Sequence, residues 1–438
     1  MLCRELGWIE AGTAFLALAG QQPLVFLDSA ATGDPRAAVS YLALDPLAVL
    51  RVNTVFELAP WLEAARPGDD DCPPDWPFAF KGGAIGWLGY EAGRAQAGIA
   101  SRHAPIPGLP PGWFGMFDLV LGFDHAARRC FALAAGRPGE NAATRMAELA
   151  ARLAKPGSLP ALPPLEWQAE LPRAHYEAQV EKLRAYIAAG DVYQANFTTR
   201  FTSPRPAGFN AAACHAALRA RSPAPFGAFI DTGEGVALCS ASPERFLLLD
   251  AGGQVETRPI KGTAPRDENP GQDAASAAAL RADPKERAEN LMITDLLRND
   301  LGQVCAIGSV QVPELFSVES FAQAHHLVSA VTGWLRPGVG AADLLLAAFP
   351  GGSITGAPKR RAMQIIDELE ESPRGAYCGA IAWIGLDGAM DSSIIIRTIT
   401  ATADTLYAQA GGGITWDSNP VAEYEEMMLK LSPLIAHG

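Results

Sequence analysis

No two cysteines in this 438-residue chain are spaced as Cys-x-x-Cys, and the seven present (Cys3, Cys72, Cys130, Cys214, Cys239, Cys305 and Cys378) are scattered and odd in number. That pattern speaks for a reducing compartment and against a disulfide-stapled domain. No apolar run reaches the length of a membrane span. The stretch from Ala11 to Gly20 is a poor secretion signal, because Glu5 and Glu10 precede it where basic residues would stand. A cytoplasmic protein is expected. Basic charge is also short: 35 Lys and Arg against 48 Asp and Glu leave a net charge of -13. This argues against nucleic acid as a partner, while a local basic pocket for a small anion remains open. There is no internal repeat and no low-complexity tract.

What the chain has is apolar content, 49% of its residues, enough for one large domain or two to three ordinary ones. From Leu24 to Phe123 short apolar runs alternate with Gly and Pro clusters and read as strands, among them Val25 to Leu27, Phe78 to Phe80, Ile85 to Tyr90 and Leu119 to Leu121. Ala142 to Ala154 reads as a helix, and the proline-rich stretch after it suggests a boundary near 155 to 170, with an N-terminal region over 1–155 and a catalytic domain over 170–438. Beyond it, Tyr176 to Ala189 reads as an amphipathic helix. Strand signals recur at Tyr193 to Thr199, Val236 to Cys239, Phe246 to Leu249 and Ile394 to Ile396. The fold class is α/β or α+β on mixed or antiparallel sheets.

Lys261 stands between a rigid Pro259 and the turn residue Gly262, where a strand ends. An amine held there can be desolvated and its lone pair made available as a nucleophile, or it is an exposed loop lysine. Asp283-Pro284-Lys285-Glu286 is a helix start with Asp as N-cap and Glu286 placed for a capping box. Along that helix Glu289 shares the stripe of Met292, Ile293, Leu296 and Leu297, so it requires a salt-bridge partner such as Arg298 or Arg360, or a metal or catalytic role. In a helix opened by Pro420, the residues Glu423, Glu426 and Lys430 share one face, either a solvated ion-pair surface or a site for Mg²⁺.

The segment Gly351 to Lys359, with Thr355 and Gly356, is a tight loop or an anion site at a helix start; it lacks the ending of a Walker A motif. Gly411, Gly412 and Gly413 form a second bare-backbone run, with Arg397 on a preceding strand as a carboxylate partner. Glu244 at a strand entrance is an ion-pair member or a general acid. In the pair His325-His326, a histidine is more often a satisfied core residue than a catalyst.

Taken together the motifs Gly86-Trp87-Leu88-Gly89-Tyr90-Glu91, Gly190 to Gln194, Ser242 to Phe246, Arg258 to Thr263, Arg287 to Met292, His326 to Ser329, Gly356 to Lys359 and Glu423 to Glu426 resemble those of the chorismate-utilising enzymes related to anthranilate synthase component I. The resemblance is dense over residues 175 to 438 and thinner over the first 150. It implies that family's fold, two packed sheets surrounded by helices with both halves of the chain interleaved. Within the family, Lys261 is the mark of the branch that makes aminodeoxychorismate, where anthranilate synthases carry alanine. Gln194 stands where isochorismate and salicylate synthases carry a water-activating lysine, and Asn196 agrees with the same branch.

The implied chemistry is attack of Lys261 on C2 of chorismate while Glu244 protonates the departing 4-hydroxyl, then addition of ammonia at C4 with release of the lysine, giving 4-amino-4-deoxychorismate. Mg²⁺ on Glu289, Glu423 and Glu426 would anchor the ring carboxylate, supported by Lys430; Tyr377, Arg397 and the amides of Gly411 to Gly413 would clamp the other one. His326 is carried over from the catalytic region. Ammonia would come from a separate glutamine amidotransferase subunit, and an appended lyase is not expected before Gly438. The stretch Leu27 to Ala30 corresponds to where relatives bind tryptophan. The competing readings are an anthranilate synthase component I, a non-catalytic chorismate-binding subunit, and a pyridoxal-phosphate lysine, for which the glycine loops offer no convincing phosphate cup.

Overall fold

The computed structural model describes residues 1–31, 33–67, 72–320 and 324–436. Its strands form two antiparallel sheets, of twelve and ten strands among the described residues. The larger runs from Leu2–Leu6 through Leu24–Asp28, Phe226–Asp231, Ala237–Ser242, Thr398–Ala401 and Thr405–Ile414 to Gln194–Pro204 and the short Gly356–Ala357. The smaller runs from Ile260–Pro265 through Ala324–Trp334, Arg245–Leu249, Met390–Ile394, Ala380–Gly385 and Gly83–Leu88 to Ala48–Val52. Strands from before residue 155 pair with strands from after 170 in both sheets, Leu24–Asp28 with Phe226–Asp231 and Gly83–Leu88 with Ala380–Gly385. The segment 155–170 therefore separates two stretches of sequence that share both sheets.

The near-continuous apolar runs follow from burial of both sheet faces. Val25, Tyr41, Ile85, Trp87, Trp113, Ile230, Leu238 and Trp383 meet between the sheets, whereas their neighbours Phe26, Leu42, Leu88 and Phe114 belong to a second, larger apolar cluster that takes in the helices. Two strand readings differ: of Ile394 to Ile396 only Ile394 ends a strand, the other two lying in a crossing between sheets, and one predicted strand is absent. Phe78 to Phe80 is a loop, because both rings wedge around Tyr41 in the inter-sheet core and the Phe80 carbonyl accepts from the Trp76 indole at 2.8 Å. Apolar content there reports burial, not a ladder.

Of the helices that matter for the site, the first keeps the expected Asp283 cap without the Glu286 capping box, the Asp283 N–H donating to the Leu280 carbonyl instead, and the second starts at Pro420 as expected. Asp283 accepts from the N–H groups of Lys285 and Glu286 and starts Pro284–Gly302; Asn419 does the same for Pro420–Ile435. On the first, the deeply buried residues are Asn290, Ile293, Thr294, Leu297, Asp300, which Lys359 pairs at 2.7 Å, and Leu301. Glu289 thus sits at the margin of the buried face, and its cationic neighbours are Lys261 and Lys285, not the Arg298 or Arg360 that the sequence suggested. Arg298 pairs with Asp295 instead. Among the described residues no helix is long and apolar enough to cross a membrane.

Candidate active site

Two chain segments cross from one sheet to the other side by side, and the site is built on them. Ala237–Ser242 leaves the larger sheet and, through Pro243 and Glu244, enters the smaller as Arg245–Leu249. Met390–Ile394 makes the return crossing through 395–397 to Thr398–Ala401, so Arg397 lies in the bend between two strands and not on one. The crossings are tied together: the Ser242 hydroxyl donates to the Ile394 carbonyl at 2.7 Å, the Ile394 N–H to the Glu244 carbonyl at 3.1 Å, and the Ala241 N–H to the Arg397 carbonyl at 3.0 Å. Arg397 adopts φ 52, a left-handed backbone uncommon for a side-chain-bearing residue.

Lys261 reaches the same cavity by a β-bulge. Ile260 pairs with Val328 and Thr263 with His326, three steps against two, with Gly262 at φ +85 inside the irregularity. A bulge re-aims side chains. A Cβ on Gly262 would stand 2.8 Å from Glu286 Oε2, which shows how closely the first turn of Pro284–Gly302 packs on it; one turn later Glu289 Oε2 lies 3.9 Å from Lys261 Nζ.

The resulting cavity, of about 290 Å³, is lined by Glu244, Lys261, His326, Tyr377, Arg397, Gly411 to Gly413 and Lys430, all singled out from the sequence, together with Ser353 and Asn196. Thr355 and Gly356 do not line it. The Thr355 hydroxyl is fully buried and donates to the Gly351 carbonyl at 2.9 Å, and Gly356 pairs with Ala195. Of that glycine-rich loop it is Ser353 that faces the space, its hydroxyl 2.7 Å from Glu244 Oε1. The loop reading missed it because nothing in Gly-Gly-Ser-Ile-Thr-Gly marks which hydroxyl points inward.

The glycine strand is bare for a reason. A Cβ on Gly413 would stand 2.1 Å from Gln194 Nε2 and 3.2 Å from Lys261 Nζ, and one on Gly412 3.0 Å from Glu423 Oε2. Lys430 donates to the Gly411 carbonyl at 3.1 Å and pairs with Glu426. Beneath the site, buried Arg374 holds Glu370 through two bonds of 2.9 and 2.7 Å, and donates to the carbonyls of Ile354 and Asn196, both at 2.8 Å. Glu370 also accepts from the N–H and hydroxyl of Thr198. This network, which sequence reading did not single out, joins the Ser353 turn, the strand opposite the glycines and the loop carrying Tyr377.

Electrostatically the site separates acids from cations. Burial raises the carboxyl pKa of Glu244, opposed by the Ser353 bond and the Lys261 charge, so it is poised to carry a proton. Burial lowers Arg397, whose guanidinium has no carboxylate within ion-pair distance among the described residues, as a group awaiting an anion would be. Burial and the charge of Arg36 lower the pKa of His326, which shares a 3.0 Å hydrogen bond with Thr263. His325 is the satisfied core histidine of the pair, held by Ser320 and Asp273.

Glu289, Glu423 and Glu426 gather at the end marked by Lys261 and Lys430. Burial raises Glu289 and Glu423, and each feels the charge of Glu426; burial acts in the same direction on Glu426, but Lys430 holds it low. Among the described residues no three such side chains converge as a ready ligand set. The donors nevertheless fit a hard divalent ion: they are anionic oxygens that repel one another, held in check here by Lys261, Lys285 and Lys430.

The cavity at the sheet crossings brings together the Lys261 amine, the Glu244 carboxyl and the Arg397 guanidinium, groups suited to acid–base or covalent chemistry on a small anion. The chain belongs to the chorismate binding enzyme family, whose model matches residues 23–436. It is 47% identical over 356 residues to aminodeoxychorismate synthase component 1 of Klebsiella aerogenes, covering 81% of this chain and 77% of that one. It is 44% identical over 391 residues to the protein of the same name from Salmonella typhimurium, covering 89% and 82%. Anthranilate synthase component I of Streptococcus pneumoniae superposes with a TM-score of 0.79 at 30% identity, over 91% of this chain and 92% of that one.

Proposed function

We propose that this chain is the chorismate-aminating component of an aminodeoxychorismate synthase. The observation that carries the reading is that Lys261 and Glu244 line one cavity, with the charge of Lys261 acting on the Glu244 carboxyl. The Lys261 lone pair forms a bond to C2, both conjugated ring double bonds shift toward C4, and the C4–O bond breaks as Glu244 supplies the proton for the departing water. Ammonia then adds at C4, both double bonds shift back, and the C2–N pair returns to Lys261. Arg397 and Tyr377 take one substrate carboxylate. Glu289, Glu423 and Glu426 would hold Mg²⁺, which when bound supplies positive charge for the other. The test is to incubate the pure chain with chorismate, Mg²⁺ and an ammonium salt and identify the product by mass. Aminodeoxychorismate supports the reading; anthranilate with pyruvate would replace it by the anthranilate synthase alternative, and binding without turnover by a regulatory subunit.

Ammonia from a separate glutamine amidotransferase is part of this reading, and the thiols support it. All seven cysteines are free, and burial raises Cys3, Cys72 and Cys305 and pushes Cys130 and Cys378 up to about 12. Those five are protonated at neutral pH and poor nucleophiles. The isolated chain is therefore expected to use ammonium but not glutamine, as followed by glutamate release; robust hydrolysis would count against a partner. The free thiols also favour a cytoplasmic setting.

Removing single carboxylate oxygens tests the metal site. Glu289→Gln and Glu426→Gln, and more mildly Glu423→Gln, are expected to raise the Mg²⁺ concentration for half-maximal activity, by roughly tenfold or more for the first two. EDTA should silence the wild type. Variants that titrate with Mg²⁺ as the wild type does would make these helix faces purely structural.

A further inference from the structure

Ser353 occupies the turn Gly352–Ile354, and that turn has little freedom. The Thr355 hydroxyl ties back to the Gly351 carbonyl at 2.9 Å, and the buried Arg374 guanidinium holds the Ile354 carbonyl at 2.8 Å. A Cβ on Gly352 would stand 2.4 Å from Leu296 Cδ2, so the turn is pressed against the helix Pro284–Gly302. A hydroxyl on so constrained a backbone, 2.7 Å from Glu244 Oε1, is a donor of fixed direction. Among the described residues the other groups around Glu244 make no such hydrogen bond to it: Lys261, His326, Tyr377, Arg36 and Arg397 line the same cavity, and the buried Cys378 thiol interacts with it only through charge.

We propose that Ser353 is a positioning residue for proton transfer by Glu244: by donating to Oε1 it leaves the transferable proton on Oε2, facing the departing hydroxyl. The inference rests on the reading that Glu244 is the general acid. As the C4–O bond breaks, its electron pair stays on oxygen, which takes the proton from Oε2 and leaves as water. The carboxylate left behind keeps the Ser353 bond, now charge-assisted and stronger than before transfer. Ser353 also opposes the burial that raises the Glu244 carboxyl pKa. Losing the hydroxyl should therefore raise that pKa further while spoiling the direction of the proton.

The test is steady-state kinetics of the full chain with chorismate and saturating ammonium across pH, for wild type, Ser353→Ala, Ser353→Thr and Glu244→Gln. Ser353→Ala is expected to lose roughly 10- to 100-fold in kcat with little change in the KM for chorismate. The limb of its profile on which activity falls with rising pH should move to higher pH, since the acid must be protonated to act; a packing defect alone would not move it. Ser353→Thr, which keeps the hydroxyl, should restore both. Ser353→Cys preserves volume with a weak donor and should follow the alanine variant, covering the case in which alanine disturbs the turn. A wild-type kcat and pH limb in the alanine or cysteine variant overturns the role of Ser353 alone, provided Glu244→Gln is slow. Wild-type rates in Glu244→Gln overturn the general-acid reading and this inference with it.

Discussion

Lys261→Ala is expected to lower the rate of aminodeoxychorismate formation on the order of 10³-fold or more, while chorismate still binds. The substitution removes the amine and leaves the bulge intact, because the irregular pairing between Ile260 and Thr263 depends on Gly262 and on the strand Ala324–Trp334. Binding should survive because Arg397, Tyr377 and the glycine strand are contributed by other elements. One side effect has a definite sign. Glu289 loses the cation 3.9 Å away and keeps only Lys285 at 4.0 Å, so its carboxyl pKa should rise. Rapid-quench analysis of the wild type should find a mass increase on the peptide containing Lys261. Full activity of Lys261→Ala at saturating ammonia would falsify the covalent route and favour direct attack of ammonia on the ring.

Arg374→Met should be the most destabilising single change around the site, by about 3–5 kcal/mol, because it leaves a buried carboxylate without its counter-charge. Glu370 is 6% exposed and would retain only its bonds from Thr198. The Ile354 and Asn196 carbonyls would lose their donor as well, and Tyr90 the guanidinium that now lies 4.5 Å from its ring centre. Thermal unfolding of the variant measures the loss. Replacing both partners, Arg374→Met with Glu370→Met, should recover much of it, since the penalty of the single variant is chiefly the stranded charge. If the single variant melts with the wild type, the network does not support the site.

Much of the candidate site was legible before any fold was drawn, because special backbone positions force a particular residue type. The helix cap Asp283 and the opening proline Pro420 were readable from local backbone chemistry, and Glu423, Glu426 and Lys430 share a face because helical spacing puts them there. The bare glycines and the isolated Lys261 also stood out locally. Phe78 to Phe80 did not behave as its composition suggested, since burial between the sheets and pairing in a ladder demand the same apolar side chains.

Other features depended on long-range geometry. That Glu244 and Arg397, 153 positions apart in the chain, lie on adjacent crossings follows from hydrogen bonds between Ser242, Glu244 and Ile394, which no local pattern encodes. The partner of Glu289 proved to be Lys261, brought to it by a bulge that shifts the register by one residue, and a register shift has no signature in composition. The choice of Ser353 over Thr355 as the inward hydroxyl was made by the packing of Gly352 on Leu296 and by Arg374 holding the Ile354 carbonyl. Sequence by itself determined which groups were available for chemistry, since residue type sets acidity, charge and backbone freedom. Which of them meet was decided only by the tertiary structure, because two sheets woven from both ends of the chain convert distant positions into neighbours a few ångströms apart.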